Sequence, residues 1–238
     1  MPIEKGIIMP SLTTDSLRNM LEHSLLYPGA TDREIDTFCM IVKKYRFATA
    51  YVLPVHLERV VPELSVGMTK IGTGIGFPFG TSTTKMKLLE TEEAMNLGAE
   101  EIDVVIHIGA LRSGRYQAIA GELERLRGLV ENRPLKIILE VSYLQPAEII
   151  TGSQLCVDAG VDYVKTASGF GIRDSTIDDV QLIAGAVSGK TKVKVAGGIR
   201  DTATLIEMYK AGAVRFGVSR GNQIIDEFVK RYGGEIVL

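Results

Sequence analysis

NLGAEEIDVVI (residues 96–106), DAGVDYVKTA (158–167) and KAGAVRFGVS (210–219) are one pattern written three times. In each, a helical stretch stops at a glycine, Gly98, Gly160 or Gly212, and a β-branched run begins within about three residues. Glycine accepts the left-handed backbone that ends a helix, so each stretch reads as the corner between a helix and the strand after it. Three such corners imply a repeated βα unit.

Working outward, similar short runs occupy residues 20–26, 47–53, 69–76, 101–107, 135–141, 162–167, 191–196 and 213–219, which gives eight candidate strands. Between them, apolar residues recur at helical spacing over 84–97, 116–131, 146–159, 176–187 and 202–211, and a further helix opens at Thr31 and Asp32. Strand, helix, strand repetition needs a parallel sheet, because each helix is the crossover that returns the chain to the same edge. Eight units in a chain of 238 residues fit a closed barrel, whereas a doubly wound sheet of five or six strands leaves two units unplaced. Gly72, Gly74 and Gly76 do not support that open sheet, since they lie within a strand and lack the GxGxxG spacing that opens a helix. The predicted class is α/β: a single-domain (β/α)8 TIM barrel over residues 1–238, with a short N-terminal extension before about residue 15. No linker or low-complexity segment interrupts it.

The bulk numbers agree with an ordinary globular protein and exclude several alternatives. Hydrophobic residues make up 45% and charged residues 24%, too balanced for disorder or a disulfide scaffold. With 27 basic and 29 acidic side chains the formal charge is −2, which offers no electrostatic footprint for nucleic acid or anionic lipid. The two cysteines, Cys39 and Cys156, fall in separate helical stretches without a CxxC partner, which suits a reducing cytosol. The first residues have too short an apolar stretch for a signal peptide, and no run of about 18 apolar residues follows, so a soluble cytoplasmic protein without membrane partners is expected.

In such a barrel the chemistry belongs at the carboxyl ends of the strands, where the βα loops converge. Charged side chains in strands whose interior is normally branched and apolar are therefore the anomaly, and three stand out: Asp103, Lys165 and Lys194. By strand alternation Tyr163, Lys165 and Ala167 share one face, as do Lys192, Lys194 and Ala196 on the next strand. Two ammonium groups about 4 Å apart at an effective dielectric near 20 repel by roughly 4 kcal/mol, about 3 pK units. That repulsion, with desolvation in the same direction, brings one lysine from about 10.4 towards 7, where a neutral amine adds to a carbonyl and forms a Schiff base. Asp103 is then the ionised partner that moves protons through a bound water. The alternative, a buried ion-pair network that only holds the barrel, leaves one positive charge uncompensated when two lysines meet one acid.

Glycine-rich stretches close the last three units: SGFG with Gly169, AGGIR with Gly197 and Gly198, and GVSRG after Gly217. Backbone amides there, beside helix N-termini, are the expected phosphate site, with Arg200, Ser219 and Arg220 adding charge and a hydroxyl. Other residues are weaker candidates. His23 and His107 fall at strand ends where they would line the mouth, yet two histidines without a third ligand do not predict a metal. His56 reads as the surface start of a helix. Glu140 closes its strand as an orienter of the lysines or, equally, as a core hydrogen-bonding group. Lys192 snorkels towards solvent at the far end.

EEIDVVIHIGAL, VKTASGFG, KVKVAGGIR and RFGVS, in this order and spacing from about residue 21 to about residue 228, resemble the class I deoxyribose-phosphate aldolase family. The resemblance implies a cofactor-free lyase that splits 2-deoxy-D-ribose 5-phosphate reversibly into acetaldehyde and D-glyceraldehyde 3-phosphate. It implies that Lys165 forms the Schiff base, that Lys194 perturbs it, that Asp103 relays protons, and that Gly169, Gly197, Gly198 and Ser219 meet the phosphate. Departures from the family pattern fall at Glu22-His23-Ser24, Tyr51, Leu53, His107, Ala167 and Arg220, and they bear on the acceptor aldehyde. The alternatives are the same chemistry on another short acceptor and a non-catalytic barrel that binds a phosphorylated metabolite. The expected partners are that small-molecule substrate and a second copy of the chain, a homo-oligomer with a dimer favoured.

Overall fold

In the computed structural model, which describes residues 11–237, the first described elements are a short strand β1 (Ser11–Thr13) and helix α1 (Thr14–Arg18). The repeating part follows: β2 (Leu21–Leu25), α2 (Asp32–Tyr45), β3 (Thr49–Val52), α3 (Leu57–Leu64), β4 (Lys70–Ile75), α4 (Thr84–Asn96) and β5 (Glu101–Val105). Next come α5 (Ile108–Arg112), α6 (Tyr116–Val130), β6 (Leu135–Ile138), α7 (Pro146–Asp158), β7 (Tyr163–Lys165), α8 (Ile177–Val187), β8 (Lys192–Ala196), α9 (Thr202–Lys210), β9 (Ala213–Val218), α10 (Gly221–Tyr232) and β10 (Glu235–Val237). Strands β2 to β9 pair in parallel with their sequence neighbours, and β9 returns to β2, which closes the barrel. All eight predicted strands are present.

Local chemistry starts and stops these elements. Thr31 and Thr176 cap their helices through reciprocal bonds with Glu34 and Asp179, which satisfy otherwise orphaned N–H groups. At the three repeated corners Gly98, Gly160 and Gly212 have φ of +100°, +67° and +113°, the backbone that the repeated motif requires. Helices α3 and α10 and the β1–β10 pair go beyond the periodic segments. Pro62 inside α3 weakens the helical signal there, although Leu57, Val60 and Leu64 still bury one face. The tail strand β10 pairs antiparallel with β1, and the Thr14 N–H donates to the Gly234 carbonyl at 2.9 Å. Since β1 and α1 lead into the amino end of β2, the paired tail strand lies at that end of the barrel. Of the expected N-terminal extension, residues 1–10 lie outside the described residues.

The barrel wall separates two kinds of packing. Outward residues such as Ile102, Val104, Ile137, Val164 and Val195 bury against the helices as a continuous apolar shell. Inward positions follow the register Gly74↔Asp103↔Lys136 and Ile138↔Lys165↔Lys194↔Arg215, so the interior is polar and charged. A register shift beside Val193 and Lys194 makes Val214 an extra residue in β9, and this sets Arg215 level with Lys194. The interior glycine Gly72 makes room for Tyr51: a Cβ on Gly72 would lie 2.3 Å from the Tyr51 ring. Gly72→Ala is therefore expected to overpack the interior by about 1–3 kcal/mol and lower the melting temperature by several degrees. Thermal unfolding, read together with the near-ultraviolet tyrosine signal, checks this; an unchanged Tm would contradict the packing.

Candidate active site

Strands β5, β7 and β8 carry Asp103, Lys165 and Lys194 to one point inside the barrel. Asp103 Oδ2 accepts from Lys165 Nζ at 2.9 Å and from Lys194 Nζ at 2.6 Å. Because both nitrogens contact the same oxygen, they lie within about 5.5 Å of each other, in one shared space. All three side chains are buried.

This trio is the upper part of a larger network. Lys194 also hydrogen-bonds Glu22, and Lys136 pairs with Glu101, with Glu22 at 3.2 Å and with Asp103 at 3.4 Å. Arg215 approaches Glu22 at 3.6 Å and Glu101 at 3.7 Å. Among the described residues four cations thus face three carboxylates, which corrects the simpler expectation of two lysines against one acid. The tyrosine ring at position 51 lies beneath the ammonium groups, 4.2 Å from Lys194 Nζ and 5.5 Å from Lys165 Nζ, and its hydroxyl donates to the Thr73 carbonyl. The period-two pattern already placed Glu101 on the face of Asp103, and Lys136 is the one charge in an otherwise apolar strand. Those signals were available in the sequence; their convergence was not.

Burial and charge divide the proton affinities. Burial opposes ionisation of Asp103, but Lys165, Lys194 and Lys136 outweigh it and hold the carboxyl well below the usual range. Glu22 is likewise held ionised against burial by Lys136 and Lys194. Burial acts to lower Lys136, but Glu22, Asp103 and Glu101 reverse it and raise the lysine, which stays charged. Lys194 is lowered from 10.5 to about 8, first by burial; Asp103 and Glu22 oppose the shift, and the other two lysines add to it. The depressed lysine is thus Lys194, and the leading cause is desolvation, with like-charge repulsion from Lys165 a smaller contributor.

Above the trio opens a cavity of about 410 Å³. The glycine loops form its rim: Gly169 after β7, Gly197 and Gly198 after β8, and Ser219 and Arg220 after β9. Arg200 also reaches this rim, but its guanidinium is paired with the carboxylate of Asp174 at 2.8 Å. Among the described residues Arg220 has no ion-pair partner.

A family and its relatives share this architecture. The sequence model of the DeoC/LacD family aldolases matches residues 40–226. The chain belongs to this family. It is 38% identical to deoxyribose-phosphate aldolase 1 of Staphylococcus aureus over 86% of this chain and 93% of that protein. A crystal structure from Coccidioides immitis, provisionally named a deoxyribose-phosphate aldolase, superposes with a TM-score of 0.89 at 35% identity, covering 94% of this chain and 91% of that one. The deoxyribose phosphate aldolase of Aeropyrum pernix, described as tetrameric, gives 0.84 at 26% identity over 91% and 92%.

Several weaker expectations are redistributed within this family frame. His23 faces outward, away from the mouth: it stacks on Phe47 at 4.7 Å and Phe38 at 5.3 Å, accepts from the Gly221 amide, and is lowered to about 4 by burial. Its position in mid-strand, one residue from Glu22, fixes that direction. His107 is exposed and caps α5 by accepting from the Ala110 amide, and neither it nor Leu53 lines the cavity. His56 does open α3 but is half-buried. Lys192 is exposed, as expected, with its ammonium over the Tyr163 ring. Glu140 does not touch the lysines; its partners are Ser168 and Ser142. Among the described residues no helix is long and apolar enough to cross a membrane.

The Lys194 shift is open to direct measurement. A lysine amine titrating near pH 8 is expected by NMR on labelled protein, absent in Lys194→Met. Since Glu22 raises this pKa, Glu22→Gln should move the titration below 8, and an upward move would refute the assignment. The folded state releases this proton before the unfolded chain does, so the group's contribution to stability rises with pH between about 8 and 10.5.

Proposed function

We propose that this chain is a Schiff-base aldolase that cleaves 2-deoxy-D-ribose 5-phosphate reversibly to acetaldehyde and D-glyceraldehyde 3-phosphate. The observation that carries the reading is the pair of lysine amines on one Asp103 oxygen, at the base of a cavity rimmed by three glycine loops. The names of the relatives support the substrate.

The geometry supports the following sequence of steps. An attacking amine must be uncharged, and Asp103 Oδ2, in contact with both lysines, lets a proton pass from Lys165 to Lys194. With its pKa near 8, Lys194 gains or loses that proton close to neutral pH. Lys165 adds to the aldehyde carbon of the open-chain sugar, and loss of water leaves an iminium. Removal of the proton from the C3 hydroxyl breaks the C2–C3 bond; its electron pair moves into the iminium to give an enamine, and glyceraldehyde 3-phosphate leaves. Protonation of the enamine at C2 and hydrolysis release acetaldehyde and restore the lysine. Asp103 Oδ1, which makes no hydrogen bond within the described residues, is left to orient a water that carries these protons. The charge count favours the sequence as well: neutralising one of four cations leaves three against the three carboxylates.

At the far end the glycine-loop amides Gly169, Gly197 and Gly198, with Ser219, Arg200 and Arg220, receive the phosphate. The Asp174–Arg200 pair favours a second reading, the same chemistry on a less charged acceptor, since the carboxylate offsets one of the two arginines there. We further place the chain in the cytoplasm, where its two buried free cysteines stay reduced, as a homo-oligomer with a dimer preferred. The tetrameric Aeropyrum relative supports assembly.

Borohydride added during turnover should trap a reduced adduct on the Lys165 peptide, detected by mass spectrometry, and Lys165→Ala should lose both adduct and turnover. A trapped adduct on another lysine, or none with any aldehyde, would sink the mechanism. Arg220→Ser should raise KM for the phosphorylated sugar several-fold with kcat little changed, about the loss expected for one charged hydrogen bond. An unchanged KM removes Arg220 from the phosphate site.

A further inference from the structure

We infer that Glu140 is a positioning residue for phosphate recognition: its buried carboxylate orders the loop after Lys165 so that the Gly169 amide is presented to the cavity. The inference rests on the reading that the glycine loops receive the phosphate.

Glu140 follows β6 with φ +56° and ψ +61°, a left-handed conformation that costs a non-glycine residue about 1 kcal/mol or more and is held only when its surroundings dictate it. The surroundings do so. On either side of Glu140 the backbone stays paired to the next strand's end, with the Leu139 amide on the Lys165 carbonyl at 2.9 Å and the Val141 amide on the Thr166 carbonyl at 3.0 Å. The left-handed turn between those two bonds directs the side chain towards residues 168–171, and the side chain is 99% removed from solvent.

There the carboxylate accepts three hydrogen bonds and, among the described residues, meets no cation within ion-pair distance. The Ser168 amide donates to Oε2 at 2.9 Å, the Ser168 hydroxyl donates to the same oxygen, and the Ser142 hydroxyl donates to Oε1 at 3.3 Å. The Ser168 hydroxyl in turn accepts from the Phe170 amide at 3.0 Å. The loop packs so closely on this carboxylate that a Cβ on Gly171 would lie 2.5 Å from Glu140 Oε1. Farther out, the Phe170 ring stands edge-on to Phe77, 5.5 Å away, from the loop after β4.

Two of three successive amides are thereby consumed: Ser168 by Glu140, and Phe170 by the serine that Glu140 holds. Gly169 between them makes no backbone hydrogen bond among the described residues, and it lines the cavity. A free amide between two fixed ones is a preorganised anion donor. Without the carboxylate, the Ser168 and Phe170 amides compete for the same anion or turn away, and the loop loses its single arrangement.

The test compares 2-deoxyribose 5-phosphate with unphosphorylated 2-deoxyribose in the parent protein, Glu140→Ala, Glu140→Gln and Ser168→Ala. For Glu140→Ala, KM for the phosphorylated sugar is expected to rise about tenfold, as for loss of a charge-assisted bond, with kcat within about twofold and KM for the unphosphorylated sugar unmoved. Glu140→Gln retains one acceptor oxygen and should restore part of the loss. Ser168→Ala keeps the amide bond to Glu140 and should shift the phosphorylated KM in the same direction, by less. If Glu140→Ala does not fold, the other two variants decide. Equal losses on both sugars, or unchanged discrimination in every folded variant, would overturn the role. If the parent protein itself does not distinguish the two sugars, the phosphate reading fails first.

Discussion

Asp103 Oδ2 is the point to which two strands each deliver an ammonium group, and most of the interior can be understood as the consequence of placing it there. Moving an ion from water into a protein interior costs several kcal/mol even after relaxation, so three carboxylates and four cations are stable inside a barrel only when each meets several partners. The register provides this. Lys136 lies beside Asp103 in the sheet and reaches all three carboxylates, while the irregularity in β9 sets Arg215 level with Lys194 to approach Glu22 and Glu101 from the floor. Space for long side chains comes from the absence of others, as at Gly72 beneath the Tyr51 ring.

The network differentiates chemically similar groups. Lys136 and Lys194 are both fully buried amines, yet the first is raised and the second lowered to about 8. Lys136 meets Glu22, Glu101 and Asp103, whereas Lys194 has two carboxylate neighbours and lies nearest the electron-rich Tyr51 face, with burial dominating its balance. One lysine is therefore a fixed counter-charge, and the other is a group that exchanges its proton near neutrality beside Lys165. A site that must form, protonate and hydrolyse an imine needs both behaviours within reach of one amine.

Much of this was legible along the chain, for identifiable reasons. Repeated helix-stop glycines and β-branched runs are local signals, and local steric preferences set them; the eight strands and the parallel order follow. A charge in a strand that ought to be apolar is a strong anomaly, so Asp103, Lys165 and Lys194 stood out. Glu101 and Lys136 carried the same anomaly but sit deeper, where the expectation that chemistry collects at strand ends gave them no weight. Glu22 read as a departure in a short polar stretch, and Arg215 was not singled out within the RFGVS run. His23 was misplaced because a strand's inward parity cannot be assigned until its neighbours fix it; a shift of one residue turns the whole face.

Backbone preference and period-two alternation, both written in neighbouring residues, determined the fold class, the strand order and which three charged side chains would meet inside the barrel. Tertiary structure alone decided which carboxylates balance which cations, that the depressed amine is Lys194, that Glu140 grips the loop after Lys165 and not the lysines, and that Asp174 sits on Arg200. Each of those outcomes depends on distances of a few ångströms between residues 26 to 172 positions apart, and on the water excluded between them. Electrostatic energies vary with exactly those two quantities, separation and solvation, and neither exists until the barrel has closed.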